Sequence, residues 1–194
     1  MSKFSARDIT MTAVFAALAV VSAMLVRYAG SIVPFSLQPF VVMLAGGLLG
    51  ARLGALSMVV YILLGLVGLP VFVTPPFGGP AYVLQPTFGF LLGFILSAYV
   101  TGSLLKNREE SGFARYFLAM AAGVLVYDLI GVPYLYLILN FYLGKTVSIA
   151  TAITIGFTPF ILLDLVKAAA AAILARAVYR RLNAYGLSER NEMQ

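Results

Sequence analysis

Apolar residues run through this chain in long blocks, and the few polar positions between them mark the boundaries. The first block predicts a helix over about Asp8 to Tyr28, behind a short basic tail of residues 1–7. Ala13/Ala17 and Ala19/Ala23 recur within it at the four-residue spacing that lets helices approach closely. Spacing alone is explained as well by packing inside a bundle as by a docking face. A loop of residues 29–36 with Pro34 follows. The second block, Leu37 to Gly68, covers 32 residues and is broken by Gly50-Ala51-Arg52-Leu53-Gly54, which reads as a tight turn. It predicts two helices of about 15 residues, each about 23 Å long and short for a ~30 Å hydrocarbon core. The outer end of the first, with Ser36 and Gln38, is therefore expected to line a cavity. Gly46 and Gly50 form another close-contact pair.

Residues 68–87 are the least helical stretch, with Pro70, Pro75, Pro76, Pro80 and Pro86 besides Gly78 and Gly79. Prolines at that density forbid a regular helix, and a loop this long inside a compact protein is usually functional. Phe72, Phe77 and Tyr82 give it an aromatic character, and a lid with little packing of its own is expected. Further helices are predicted over about Phe88 to Leu105, Phe113 to Leu139 and Phe157 to Arg181. Lys106 to Gly112 is a charged turn, Leu143 to Gly156 a polar interval suited to a short surface helix, and the tail after Leu182 is polar and expected to be mobile.

Composition makes this a membrane pattern. The chain has 194 residues, 62% hydrophobic and 10% charged, with mean hydropathy +1.00, against about 45–50% and 25% in soluble domains. The fold class is an all-α integral membrane protein of six transmembrane helices, a single domain over 1–194 with polar tails at about 1–7 and 183–194. Lys3 and Arg7 before the first apolar block imitate a signal peptide, but no small-residue cleavage site follows, so a retained first helix is expected.

The net charge of +6 does not indicate nucleic acid, because the basic residues flank apolar blocks and suit lipid headgroups. With six spans, ten basic residues fall on one side (Lys3, Arg7, Arg52, Lys106, Arg108, Arg115, Arg176, Arg180, Arg181, Arg190) and two on the other, Arg27 and Lys145. Both termini are then cytoplasmic, in a multi-pass protein of the cell membrane. The proline-rich loop, the Gln38 end of the second helix and the start of the sixth all face outward.

The absence of cysteine and histidine excludes thiolate chemistry, imidazole-based catalysis and most zinc sites. Two ionisable residues stand inside the last apolar block, Asp164 and Lys167, about seven residues or roughly 10 Å below its outer end. Their i, i+3 spacing puts both on one helix face. Each ionisable group at membrane depth costs about 2.5–3.5 kcal/mol on the insertion scale. Either they form an internal ion pair that clasps helices, or they form a ligand-binding face. Asp128, in the middle of the preceding helix, reads as a structural or supporting partner, with Lys167 as its candidate mate. Leu143-Gly144-Lys145-Thr146 resembles the end of a phosphate loop, but position 139 is leucine where glycine is required. An Asp128/Asp164 protease dyad is opposed by Lys167, which would hold Asp164 ionised. The chain reads as neither an enzyme nor a nucleotide-driven motor.

Ordered motifs add to this. They are Ser36-Leu37-Gln38 leading to Leu44-Ala45-Gly46, Leu49-Gly50 and Leu53-Gly54-Ala55, then Tyr61, Gly65 and Gly68-Leu69-Pro70-Val71-Phe72. Gly78-Gly79, Pro86-Thr87, Gly89-Phe90, Gly93-Phe94, Gly131-Val132-Pro133, Pro159-Phe160 and Asp164-Leu165-Val166-Lys167 follow. In this order the chain resembles, over nearly its whole length, the BioY-type substrate-binding subunits of energy-coupling factor biotin transporters. Phe88 stands where that family commonly has a glycine, as does Gln85, and Asp128 is not a family feature at its place.

The resemblance implies six helices, a substrate site near the outer surface under the proline-rich loop, and biotin as the transported ligand. The nearest alternative is another vitamin, such as riboflavin or thiamine. No cofactor and no metal are implied. It also implies docking of Ala13 and Ala17 on a transmembrane coupling subunit driven by two ATPase subunits. The candidate substrate-binding residues are Gln38, Phe72, Tyr82, Gln85, Asp128, Asp164 and Lys167.

Overall fold

The computed structural model describes residues 4–29, 36–106 and 112–192, with side chains up to residue 181 and without that of residue 29. The extreme ends of the two tails, most of the loop before Ser36 and the centre of the charged turn after Lys106 lie outside the described residues. Among the described residues seven α-helices run in chain order: α1 Ala6–Ala29, α2 Gln38–Leu49, α3 Ala51–Leu66, α4 Phe88–Leu104, α5 Phe113–Leu137, α6 Ile149–Gly156 and α7 Ile161–Glu192. No strand occurs among the described residues.

Local chemistry sets the ends. Ser5 and Asp8 cap α1 reciprocally: the Asp8 N–H donates to Ser5 Oγ at 3.2 Å and the Ser5 N–H to Asp8 Oδ2 at 3.0 Å. Pro39 stands in the first turn of α2, where its missing N–H has no helical partner to lose. The turn between α2 and α3 is tighter than the five residues expected. Gly50 alone makes it, at φ 86°, a backbone conformation that a side chain disfavours. Helix α5 holds Pro133 and ends in a wider π turn, Ile138–Tyr142.

The expected sixth helix is corrected. Its start at Phe157 falls in a break, because Pro159 lacks a donor and biases Thr158 away from the helical region. The Phe157 and Thr158 N–H groups both return to the Ile153 carbonyl, at 2.9 and 3.1 Å, closing α6 before α7 begins. The two helices bend by 43° across this break. At the other end, the backbone expected as a mobile tail continues as helix to Glu192.

Helix α4 lies at the centre, packed against α5, α3 and α2; α1 covers α3 and α2, while α7 lies on α5 and α2. Small residues permit this closeness. A Cβ on Gly46 would fall 2.5 Å from the Ala98 carbonyl oxygen, so α2 rests almost backbone to backbone on α4. A Cβ on Gly93 would fall 2.7 Å from Cα of Tyr127, so α5 does the same from the other side. The outward faces are apolar too, with Leu18, Val21 and Leu25 on α1 and Leu118, Leu125 and Leu129 on α5 exposed. Helices apolar all round suit a lipid solvent. Among the described residues two helices have the length and composition to cross a membrane, α1 and α5 with its π turn, or three if α6 and α7 form one broken span. Helices α2, α3 and α4 have 12, 16 and 17 residues, so even α4 rises only about 26 Å.

The two alanine pairs of α1 part company. Ala19 and Ala23 are buried against the bundle, whereas Ala13 and Ala17 are exposed on the opposite side.

Candidate binding site

The proline-rich stretch is not a loose flap. The Phe72 N–H donates to the Phe77 carbonyl at 2.8 Å, and the Gly79 N–H to the Gly65 carbonyl at 2.7 Å. Val71, Phe72 and Tyr82 are buried, and a short 3-10 turn, Pro80–Leu84, carries Tyr82 inward. The Tyr134 hydroxyl on α5 donates to the Val83 carbonyl. Arg27 at the end of α1 reaches over: its guanidinium stands 3.6 Å above the Phe77 ring and its Nη1 donates to the Pro70 carbonyl at 3.3 Å. The expectation of a lid with little packing of its own is therefore overturned; Phe72 and Tyr82 give it a core.

Beneath it lies a cavity of about 360 Å³, within the ~300–1,000 Å³ usual for small-molecule sites. Its apolar wall includes Phe90, Leu91 and Phe94 of α4, with Leu135 of α5 and Phe160 from the α6–α7 break. Gln38, Tyr82, Asp128, Asp164 and Lys167, expected at the site from sequence, all line it. Phe72 and Gln85 do not. Phe72 stands behind the wall, its ring 4.2 Å from that of Tyr82 and edge-on to Tyr61 at 5.7 Å. Its ring packs directly on Gly65 and fills the space that glycine leaves. Gln85 closes the 3-10 turn through its backbone, with its N–H on the Tyr82 carbonyl at 2.9 Å.

The polar groups are held in place. Gln38 Nε2 donates to the Tyr61 hydroxyl at 2.7 Å, and that hydroxyl donates to the Val71 carbonyl at 3.2 Å. Thr74 and Tyr82 share a hydroxyl–hydroxyl bond of 2.9 Å. Lys167 Nζ donates to Asp164 Oδ1 at 2.7 Å, a salt bridge within one face of α7 as the spacing required. Because α7 starts at Ile161, Asp164 sits in its first turn and not deep within a longer helix. The positive end of the helix dipole there favours a carboxylate. The Tyr127 hydroxyl on α5 donates to the other oxygen, Oδ2, at 2.5 Å. Lys167, the candidate mate of Asp128, pairs instead with Asp164, and Asp128 lines the cavity.

The profile of the BioY family matches residues 1–184. The chain belongs to this family. It is 42% identical over 176 residues to the probable biotin transporter BioY of Lysinibacillus sphaericus, covering 91% of this chain and 88% of the relative. It is 42% identical over 169 residues to the biotin transporter BioY of Thermotoga maritima, covering 87% and 94%. The fold matches the crystal structure of the S-component for biotin from an ECF-type ABC transporter, with a TM-score of 0.74 at 24% identity over 92% of this chain and 95% of that one.

In this chain of the BioY family, sequence reading missed Tyr127. A signal was present: Gly123, Tyr127 and Gly131 recur every four residues, marking one closely packed face of α5. Nothing in the sequence identified the acceptor of that tyrosine, which lies 37 residues further on. Thr74 and Phe160 were likewise missed, since both reach the cavity from irregular backbone.

Proposed function

We propose that this BioY-family chain is the biotin-binding subunit of a vitamin uptake transporter, taking biotin from the outer face of a prokaryotic plasma membrane. The observation that carries the reading is kinship, over about nine-tenths of the chain, to proteins named as biotin transporters, joined to a cavity whose chemistry complements biotin. Biotin has a ureido ring with two N–H donors and a carbonyl, an apolar thioether ring and a carboxylate tail. The cavity offers an aromatic and aliphatic wall, acidic acceptors and one lysine among its lining residues. Asp164 accepts a ureido N–H through a lone pair left free by Tyr127 and Lys167. Lys167 supplies positive charge to the carbonyl or the carboxylate. Gln38 and Tyr82, fixed by their own hydrogen bonds, shape the wall.

The reading takes α1 to α5, with α6 and α7 as one broken span, as six crossings, of which α1, α5 and the broken pair have the length and composition for it by themselves, and the charge distribution supports cytoplasmic termini. Short helices are tolerated where they line a cavity instead of lipid. Exposure of Ala13 and Ala17 supports a docking face for a transmembrane coupling subunit, which two ATPase subunits would drive. The test is equilibrium binding of biotin, riboflavin and thiamine to the purified protein, with mass spectrometry of any ligand retained. Saturable binding with preference for biotin is expected; preference for riboflavin or thiamine would sink the reading.

A further inference from the structure

Asp128 follows Tyr127 on α5, lines the cavity and is only 6% exposed. Among the described residues, no hydrogen bond or salt bridge reaches its carboxylate, whereas both oxygens of Asp164 are engaged. A buried carboxylate without a donor is unfavourable, so the group is built to meet something that enters. That something is not the ligand's own carboxylate: the lining already holds two acids against one lysine, and like charges in a low-dielectric cavity repel. A neutral N–H donor remains.

The inference rests on biotin as the ligand. In a five-membered cyclic urea the two N–H bonds diverge, one on each side of the carbonyl, so one carboxylate cannot receive both. Two acceptors on two different walls are needed. The cavity has two acidic side chains, Asp128 from α5 and Asp164 from α7, and the Tyr127–Asp164 hydrogen bond ties those two helices together. We infer that Asp128 is the second ureido acceptor, receiving one ring N–H while Asp164 receives the other, and that it sets the selectivity for an intact cyclic urea. Lys167, held by Asp164, then lies beside the acceptor pair and faces the ring carbonyl.

The probes are biotin and its two isomers carrying a methyl group on one or the other ureido nitrogen. Wild-type protein is expected to bind biotin and to discriminate against both isomers. Asp128→Ala should weaken biotin binding by about tenfold or more, the loss of a charged hydrogen bond. It should also abolish discrimination against one isomer and retain it against the other, because the methyl group then occupies the space of the missing carboxylate. Asp128→Asn, closer in size, should weaken biotin binding while leaving the melting temperature within a few degrees of wild type. If both variants bind biotin as wild type does, or still reject the two isomers equally, Asp128 is not the acceptor. Wild-type protein alone gives an independent reading: equal affinity for biotin and either isomer means that one N–H meets no acceptor, and overturns the inference. Wild-type protein that fails to bind biotin refutes the functional reading; binding that persists unaltered in the Asp128 variants refutes only this step.

Discussion

Tyr127 on α5 donates its hydroxyl to Oδ2 of Asp164 on α7 at 2.5 Å, while Lys167 holds Oδ1 of the same carboxylate at 2.7 Å. The acid is clamped between a neighbour on its own helix and one on another, so its position depends on how α5 and α7 pack. Tyr127→Phe removes the hydroxyl and keeps the ring against Phe94, which it meets edge-on at 5.4 Å. A hydrogen bond to a charged group contributes about 1.5–3 kcal/mol. The variant should therefore melt at a lower temperature and bind biotin about tenfold more weakly. Unchanged values in both titration calorimetry and thermal unfolding would mean that the hydroxyl positions nothing.

The salt bridge makes a different prediction. Asp164→Asn and Lys167→Met should each weaken biotin binding by about tenfold or more, because each also breaks the ion pair and leaves its partner's charge uncompensated. In thermal unfolding the double variant should be less destabilised than the sum of the singles, since it leaves no orphan charge. Biotin amide separates the two ends of the ligand: if wild type and Lys167→Met discriminate against it equally, Lys167 does not read the carboxylate tail. Normal binding with easier unfolding in both single variants would reduce the pair to a structural clasp.

The alanines of α1 face opposite ways, and so should their substitutions. Ala19 is buried, and Ala19→Leu overpacks the bundle at a cost of about 1–3 kcal/mol. Ala17 is exposed, so Ala17→Leu should leave the melting temperature and biotin binding alone while preventing co-purification with the coupling subunit. Intact assembly of Ala17→Leu would place the docking face elsewhere.

Arg27 ties α1 to the proline-rich loop through Phe77 and the Pro70 carbonyl. Arg27→Ala should leave the inner core of Phe72 and Tyr82 in place but loosen the outer turn. Protease nicking between residues 71 and 82 is expected to be faster in this variant, and slower in both proteins when biotin is added. Equal nicking rates in the two empty proteins would assign the hold on the loop to Phe72 and Tyr82 alone.

Much of this architecture follows from short-range chemistry. Helices α1 to α5 lie within a few residues of where apolar blocks, prolines and glycines place them. The pairing of Asp164 with Lys167 is equally local, since a helix brings i and i+3 together whatever surrounds it. Pro159 carried the signal for the break before α7, but the continuous apolar block around it masked that signal.

Orientation was a different matter. In a soluble helix a polar face reports which side is buried; here both sides of most helices are apolar, because lipid and protein interior reward the same residues. Nothing in the pattern therefore says that Ala19 turns inward and Ala17 outward, or that Phe72 stands behind Tyr82 and not at the cavity wall. Nor does it pair Tyr127 with Asp164, or leave Asp128 facing the cavity without Lys167. Hydrophobic pattern and helix geometry alone supply an apolar helical bundle, its breaks as far as α5 and one local ion pair. The close approaches at Gly46 and Gly93 rotate and seat α2, α4 and α5, and only that packing decided which side chains surround the cavity.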